Sequence, residues 1–324
     1  MSVQLDTPPR FAATPPIPGP FRPRGDMSPT ATPRALGPFF WLASHAPRLT
    51  AAVRPLAVRL VPLASRTVRR RTRRNATRIL GRTLAPAEEV AFTRGVVDSF
   101  YRFIADVGRS GREPVARLLA RIDRVDGEDA YRALRARGRG AVLVTAHMGS
   151  FEVGLAALTR VERRVHVVFK RDASGPFESM RTRMRRRIGV VEAPVDDGLG
   201  TWTALREALA IADVVVMQGD RAHPGQRTTV VPFLHGHLRV PTGPVRLARL
   251  AGTPIIPVFT VRLPSGRFLV SLHPAIDPGT AHDGPDSTDP AILAVARSIE
   301  IMVAAYPTQW LVLGAAFEED VGHD

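Results

Sequence analysis

A histidine and a glutamate stand five residues apart in the segment AVLVTAHMGSFEVG, residues 141–154, and such a pair could take a proton from a hydroxyl group. The apolar run before His147 predicts a buried strand, and Gly149 and Ser150 predict a turn into a helix. Glu152 would lie in the first helical turn and accept a hydrogen bond from the imidazole, leaving the other ring nitrogen basic. This spacing indicates a general base with an orienting carboxylate, although a histidine in an ordinary capped turn has the same pattern.

The surrounding sequence predicts the α/β framework that would position this pair. Strand and helix patterns alternate with short loops from residue 141 onward, which is typical of a mostly parallel central sheet flanked by helices. In such sheets ligands bind at the carboxyl ends of the strands, where His147 would lie. We predict strands over residues 141–145, 165–169, 190–192, 214–218, 229–233, 254–261 and 268–273, the last two antiparallel to each other. We predict helices over residues 88–105, 112–122, 128–137, 150–160, 175–188, 201–211, 241–251 and 290–304.

The segment TAHMGSFEVG resembles the HxxxxE signature of the lysophospholipid acyltransferase superfamily, in particular the branch that contains the lipid A late (lauroyl and myristoyl) acyltransferases. The resemblance covers about residues 39–317 and implies a glycerolipid acyltransferase-like fold. It also implies that His147 is the general base and that Glu152 orients it. Superfamily members that act on phosphate esters more often have aspartate at the acidic position, so Glu152 favours the glycolipid branch.

The block VHVVFKRD resembles the second motif of the superfamily, in which an arginine just after a strand holds an anionic headgroup. Arg171 matches that arginine, and Lys170 lies beside it. A guanidinium group suits bidentate contact with a phosphate or a sugar acid. The alternative is that both charges are solvated at the end of a strand.

The block VVVMQGDR aligns with the third motif, commonly Glu-Gly-Thr-Arg, and reads Gln218-Gly219-Asp220-Arg221 in this chain. The resemblance implies that Arg221 contacts an anion and that Asp220 is its orienting partner. It leaves open whether Gln218 or Asp220 faces the substrate. Further along, Phe233 matches a landmark expected to form a pocket wall.

The charge is concentrated at the amino-terminal end of the chain. The formal net charge is +15, and residues 1–87 hold fifteen arginines against two acidic residues. A basic segment on a near-neutral body predicts a polyanionic partner, either anionic lipid or nucleic acid. We predict four parts: a disordered proline-rich tail (1–38), a basic amphipathic membrane-associating segment (39–87), an acyltransferase α/β domain (88–318) and an acidic tail (319–324).

Residues 39–65 are apolar and led by aromatic residues, but arginines and prolines interrupt them before they reach the length of a membrane crossing. The adjoining cluster TVRRRTRRN would lie on anionic headgroups, which favours an element in the membrane interface. The alternative is a helical hairpin packed on the domain. We therefore expect peripheral or monotopic attachment at the cytoplasmic face of the inner membrane.

Several classes of chemistry are disfavoured. The chain has no cysteine, so it has no thiol nucleophile and no cysteine-based zinc site. It also lacks a glycine loop for ATP or NAD and a Gly-x-Ser-x-Gly elbow, so no resident cofactor is expected. We expect no metal site, because the candidate ligands lack a recognisable spacing. These candidates are Asp220, His223, His235 and His237.

We interpret the sequence as a membrane-surface O-acyltransferase. It would move a fatty acyl group from acyl-CoA or an acyl carrier protein, as co-substrate, to a hydroxyl of a lipid or glycolipid. The run RTRMRRR, residues 181–187, is either a solvated face or a docking patch for an acidic carrier protein or lipid phosphates. Two alternatives remain: a basic nucleic-acid-binding protein, although no base-reading module is recognisable, or an inactive lipid-binding relative.

Overall fold

The computed structural model describes residues 41–43, 45–171, 175–222, 225–280, 282 and 284–320. The tail predicted over residues 1–38 lies outside them. Part of the predicted acidic tail instead packs on the folded domain: Glu319 accepts a hydrogen bond from His237 Nδ1 at 2.8 Å, and the buried Asp320 lies 3.6 Å from Arg78 Nε.

A single sheet of seven strands forms the centre of the molecule. The strands in chain order, including a separate hairpin (β6 and β7), are β1 (Ile122–Asp126), β2 (Ala141–Thr145), β3 (Val165–Phe169), β4 (Val191–Pro194), β5 (Val214–Gln218), β6 (Thr228–Phe233), β7 (Gly236–Pro241), β8 (Ile255–Arg262) and β9 (Phe268–Leu272). The order across the sheet is β1-β9-β8-β2-β5-β3-β4, and every neighbouring pair is parallel except β8 and β9. The predicted mostly parallel sheet is therefore confirmed, as is its antiparallel pair.

Ten helices flank the sheet or precede it among the described residues. They are α1 (Pro47–Ala64), α2 (Arg66–Leu80), α3 (Pro86–Ser110), α4 (Val115–Leu119), α5 (Glu128–Arg135), α6 (Phe151–Val161), α7 (Gly175–Ile188), α8 (Leu199–Ala210), α9 (Gly243–Ala251) and α10 (Pro290–Ala305). Residues of α4 to α7 share one apolar cluster with the sheet, and residues of α8 to α10 share another. Because both faces are covered, all five residues of β2 are buried, which explains its uninterrupted apolar sequence.

Three strands differ from the predictions, and one of them is β7, for which no strand was predicted. β6 does not enter the central sheet, because it pairs antiparallel with β7 in a separate hairpin. β1 was missed, and the helix predicted over residues 112–122 shortens to α4. The sequence of β1 has only two apolar residues, since it is an edge strand with exposed side chains, so it gives no strong hydrophobic period.

The amino-terminal helices α1 and α2 pack on α3. Tyr101 Oη donates a hydrogen bond to the backbone oxygen of Thr50 at 2.7 Å, and Arg54 pairs with Asp98 at 2.7 Å. None of the helices in the described part of the chain is long and apolar enough to cross a membrane. The outer side of α1 carries exposed apolar side chains at helical spacing: Leu49, Val53, Leu56, Leu60 and Leu63. We call these five residues the α1 stripe.

Candidate active site

The loop between β2 and α6 holds His147 at the carboxyl end of a central strand. Gly149 has a φ of 57°, and a Cβ at this position would lie 1.9 Å from the backbone oxygen of Thr260, so the turn requires glycine. The N–H of Gly149 donates to the oxygen of Gln309 at 3.0 Å, and the N–H of Leu311 donates to the oxygen of His147 at 2.7 Å. The histidine is therefore fixed from both sides by backbone contacts.

His147 is hydrogen-bonded to Asp220, which lies two residues beyond the end of β5. The Nδ1 atom of His147 is 2.8 Å from Asp220 Oδ1, and Trp310 Nε1 donates to Asp220 Oδ2 at 2.8 Å. Asp220 is fully buried, whereas the His147 side chain is 23% exposed. The carboxylate is thus held by two partners, and the imidazole keeps one side open.

The charges around the pair favour an ionised Asp220 and a neutral His147. Burial alone would raise the pKa of Asp220, but His147, Arg221 and the Trp310 N–H outweigh it and lower that pKa below its ordinary value. Burial lowers the pKa of His147, and the charges of Arg221 and Arg181 lower it further against the opposing effect of Asp220. An ionised Asp220 accepts a hydrogen bond from the Nδ1–H group of His147, which leaves Nε2 as the basic nitrogen.

The hydrogen bond predicted between Glu152 and His147 is not formed. Glu152 is fully buried, and neither of its carboxyl oxygens has a hydrogen-bond partner among the described residues. It is the second residue of α6 and lies on the buried side of that helix with Val153 and Leu155, whereas the loop directs His147 toward β5. Burial raises the pKa of Glu152 to about 8.

The pairing predicted between Asp220 and Arg221 was also wrong, because His147 and Trp310 take both oxygens of Asp220. Arg221 Nη2 instead donates to the backbone oxygen of Leu311 at 3.3 Å. Gln218 ends β5 directly opposite the last residue of β2, so it lies at the same sheet edge as His147.

Phe233 is buried behind Trp310, with ring centroids 5.8 Å apart, so it supports the tryptophan that holds Asp220. Sequence reasoning missed Trp310. Trp310 and Met148 form an isolated β-bridge, and this tertiary contact has no counterpart in a local motif.

Arg171 follows β3, as predicted, but its guanidinium already has a carboxylate partner. Its Nη1 and Nη2 atoms lie 2.7 and 3.1 Å from the two carboxyl oxygens of Asp197, and its backbone N–H donates to Asp196 at 3.0 Å. The hydrogen bond to Asp197 raises the pKa of Arg171. Lys170 lies beside it, half-buried at the end of β3. An anionic ligand at Arg171 would have to compete with Asp197.

The arginine run in α7 is not a uniformly solvated face. The side chain of Arg185 is 2% exposed, and it pairs with Glu192 at 2.5 Å and with Glu178. Its guanidinium also lies 3.9 Å from the ring centroid of Phe169. Arg185 therefore fastens α7 to the neighbouring strands.

The histidines considered for a metal site do not gather around Asp220. His237 pairs with Glu319, and the backbone N–H of His235 donates to the oxygen of Arg78. His223 lies outside the described residues. Within the described ranges, no three His, Asp or Glu side chains form a group that could hold a metal ion.

An apolar cavity of about 100 Å³ lies between α6 and the sheet. Thr145 and Phe151, which flank the His147 loop, line one part of it. Leucine and valine side chains from the sheet and α6 line most of the remainder: Leu143, Leu155, Leu158, Val216, Val258 and Val270. Its wall suits a hydrocarbon chain, because few polar groups would lose hydration on filling it.

Comparison with known proteins assigns the chain to a protein family. A model of the bacterial lipid A biosynthesis acyltransferase family matches residues 41–318, so the chain belongs to that family and is an acyltransferase. A solved structure, the 1-acyl-sn-glycerophosphate (LPA) acyltransferase PlsC from Thermotoga maritima, is similar at 12% identity and a TM-score of 0.37, over 82% of this chain and 96% of that one. A search of curated proteins finds no match.

Proposed function

We propose that this protein moves a fatty acyl group from an acyl thioester to a hydroxyl of a lipid or glycolipid at a membrane surface. The observation that carries the proposal is the hydrogen bond between His147 and a buried Asp220, at the sheet edge beside an apolar cavity. The donor would be acyl-CoA or an acyl carrier protein, as a co-substrate. The acceptor would carry the attacking hydroxyl.

His147 Nε2 would take the proton of the acceptor hydroxyl. The hydroxyl oxygen would form a bond to the thioester carbonyl carbon, the carbon–sulfur bond would break, and the imidazolium would return its proton to the departing thiolate. Asp220 keeps the proton of the imidazole on Nδ1 and stabilises the imidazolium during the step. The products are an ester and a free thiol, so His147 ends the reaction neutral.

The apolar cavity beneath α6 would receive the acyl chain. Thr145 precedes His147 by two residues and also lines the cavity, so a thioester carbonyl near the imidazole would direct its chain under α6. Burial of a chain there is favoured by about 0.8 kcal/mol per methylene group.

The amino-terminal helices support action at a membrane surface. The α1 stripe is between 36% and 60% exposed, and the arginine-rich helix α2 follows it directly. An exposed apolar stripe beside arginines fits insertion into the interface of an anionic membrane. The packing of α1 and α2 on α3 is compatible with this attachment, since the stripe lies on the side of α1 that faces away from the domain.

The deciding experiment assays acyl transfer by the purified His147→Ala variant, with acyl-CoA and with an acyl carrier protein as donors and extracted glycolipid as acceptor. We expect activity to fall by about 10²-fold or more while the far-UV circular dichroism stays unchanged. The matched control is His282→Ala, which removes a half-buried histidine near the start of α10, away from the His147 loop. Retention of more than about a tenth of the activity in His147→Ala would refute the assignment of His147 as the base.

A further inference from the structure

Three arginines converge on one buried carboxylate at the carboxyl end of α3. Asp106 is fully buried, and its Oδ1 accepts hydrogen bonds from Arg121 Nη2 at 2.8 Å and Arg109 Nη2 at 3.2 Å. Its Oδ2 accepts from Arg262 Nη2. We call Asp106, Arg109, Arg121 and Arg262 the Asp106 cluster.

The cluster has more positive charge than its own residues neutralise. Three guanidinium groups face one carboxylate, which leaves two positive charges, and the carboxyl end of α3 supplies only about half a negative charge. Arg121 and Arg262 also lie over the ring of Phe268, at 4.9 and 4.3 Å from its centroid, but a ring face does not cancel their charge. Burial lowers the pKa of Arg262, and the charges of Arg121 and Arg109 act in the same direction.

Two hydrogen-bond donors of the cluster are buried without a partner among the described residues. They are Arg109 Nε and Arg121 Nη1. Buried polar groups without partners are rare in folded proteins, and a charged donor without one is especially unfavourable. Excess positive charge together with unpartnered donors is the arrangement that an anion would complete.

The cluster lies at the same sheet edge as His147. Arg262 ends β8, which pairs in parallel with β2, and Arg121 directly precedes β1. Gln309 joins the two places: its side chain bonds the backbone N–H and oxygen of Arg262 at 2.8 and 2.7 Å, and its backbone oxygen accepts from Gly149 in the His147 loop. A group bound by the cluster would therefore be fixed relative to the reacting atoms.

We infer that the Asp106 cluster binds a phosphate group of one of the two substrates. The inference rests on the proposed function for the identity of those substrates. A phosphate accepts two parallel hydrogen bonds from a guanidinium and carries the charge that the cluster lacks. Two sources share this chemistry: the phosphopantetheine arm of the acyl donor and a phosphorylated headgroup of the acceptor.

Arg109→Gln and Arg121→Gln test the site with inorganic pyrophosphate as the probe. Titration calorimetry at constant ionic strength measures saturable binding to the full chain. We expect each variant to weaken the high-affinity binding step by about tenfold or more, because each loses a charge-assisted contact. The matched control is Arg267→Gln, which removes the same charge from an exposed pair with Asp123 in the adjoining turn and should change the affinity by less than about twofold.

Steady-state kinetics of the same variants distinguish the two sources of phosphate. A higher KM for the acyl thioester alone assigns the donor, and a higher KM for the acceptor alone assigns the headgroup, with kcat changed less than KM in either case. Equal pyrophosphate affinity in the wild type and both cluster variants would overturn the inference, and a lower Tm in those variants would then make the cluster a structural cross-link. Pyrophosphate binding does not require turnover, so the two proposals can fail separately. If the wild-type protein binds pyrophosphate through these arginines but transfers no acyl group, the proposed function is refuted and the anion-binding site is retained.

Discussion

The partner of His147 is a carboxylate 73 positions further along the chain, although another carboxylate lies only five positions away. Two hydrogen-bond donors keep the buried Asp220 ionised, whereas burial without a hydrogen-bond partner among the described residues favours the protonated form of Glu152. Both acids are fully buried, so hydrogen bonding, and neither burial nor sequence distance, separates their roles.

This separation predicts different pH–rate profiles for Asp220→Asn and Glu152→Gln. Activity should rise with pH as His147 loses its proton, with a midpoint below the ordinary histidine value of about 6.5. Asp220 raises the pKa of His147, so Asp220→Asn should move the rising part of the pH–rate profile to lower pH. The same variant should lower kcat by about 10³-fold or more, because the amide no longer fixes the tautomer of the imidazole. Glu152→Gln should leave the midpoint of the pH–rate profile unchanged. A shift in Glu152→Gln equal to that in Asp220→Asn would contradict the assignment of Asp220 as the partner of His147.

Glu152 also predicts a pH dependence of stability. Its pKa is about 8 in the folded protein against an ordinary 4.5, so its favourable contribution is complete below about pH 4.5 and is lost as the pH rises toward 8. The Glu152→Gln variant should match the wild type at about pH 4 and exceed its free energy of unfolding by about 4 kcal/mol at pH 8. Urea unfolding across this range measures the difference. The control Glu207→Gln, on the exposed side of α8, should keep the wild-type dependence of the unfolding free energy on pH. The wild-type dependence in Glu152→Gln would refute the prediction.

The strand β2 and the helix α6 together build the site. β2 is buried because it has parallel neighbours on both sides and helices on both faces, and its end is held by Gly149 and Gln309. The helix that follows contributes little polar chemistry. It instead roofs the apolar cavity, with Leu155 and Leu158 turned toward the sheet.

The cavity predicts that a larger side chain on α6 shortens the accepted acyl chain. Ala157 lines the cavity, and Ala157→Leu would fill part of its volume of about 100 Å³. We expect the ratio of kcat/KM for a 12-carbon donor over a 16-carbon donor to rise by about tenfold or more, since each excluded methylene loses about 0.8 kcal/mol of burial. Arg160→Leu adds the same side chain on the exposed side of α6 and should keep the wild-type preference. An unchanged preference in Ala157→Leu would place the acyl chain elsewhere.

Positive charge and a stripe of exposed apolar side chains lie together at the amino-terminal end of the described chain. α1 and α2 pack on α3 on one side and leave the α1 stripe open on the other. Contiguous exposed apolar surface in a folded protein marks an interaction site.

The α1 stripe predicts how two leucines affect membrane binding. Leu56 and Leu60 are 57% and 50% exposed in the protein alone. Replacing both by serine should lower partitioning onto vesicles with anionic lipid by about tenfold or more, because two leucine side chains no longer insert into the membrane interface. Vesicle flotation measures this change. The control variant replaces Leu199 and Leu250 by serine; these residues are 85% and 71% exposed on α8 and α9. We expect it to bind the vesicles as the wild type does. Equal flotation of both double variants would exclude the α1 stripe as the membrane contact.

Local sequence patterns predicted most of the central strands and helices and the position of His147 at the end of β2, but they missed β1 and β7. These features depend on local hydrophobic period and on turn residues, which are visible in any short window. The fold was needed to show that Asp220 binds His147, that Trp310 holds Asp220, that Glu152 has no hydrogen-bond partner among the described residues, and that β6 leaves the central sheet. Parallel strands bring together loops that are far apart in the chain, so the partner of a residue at a strand end depends on strand order and burial. A local sequence pattern specifies neither the order of the strands in the sheet nor the burial of a particular side chain.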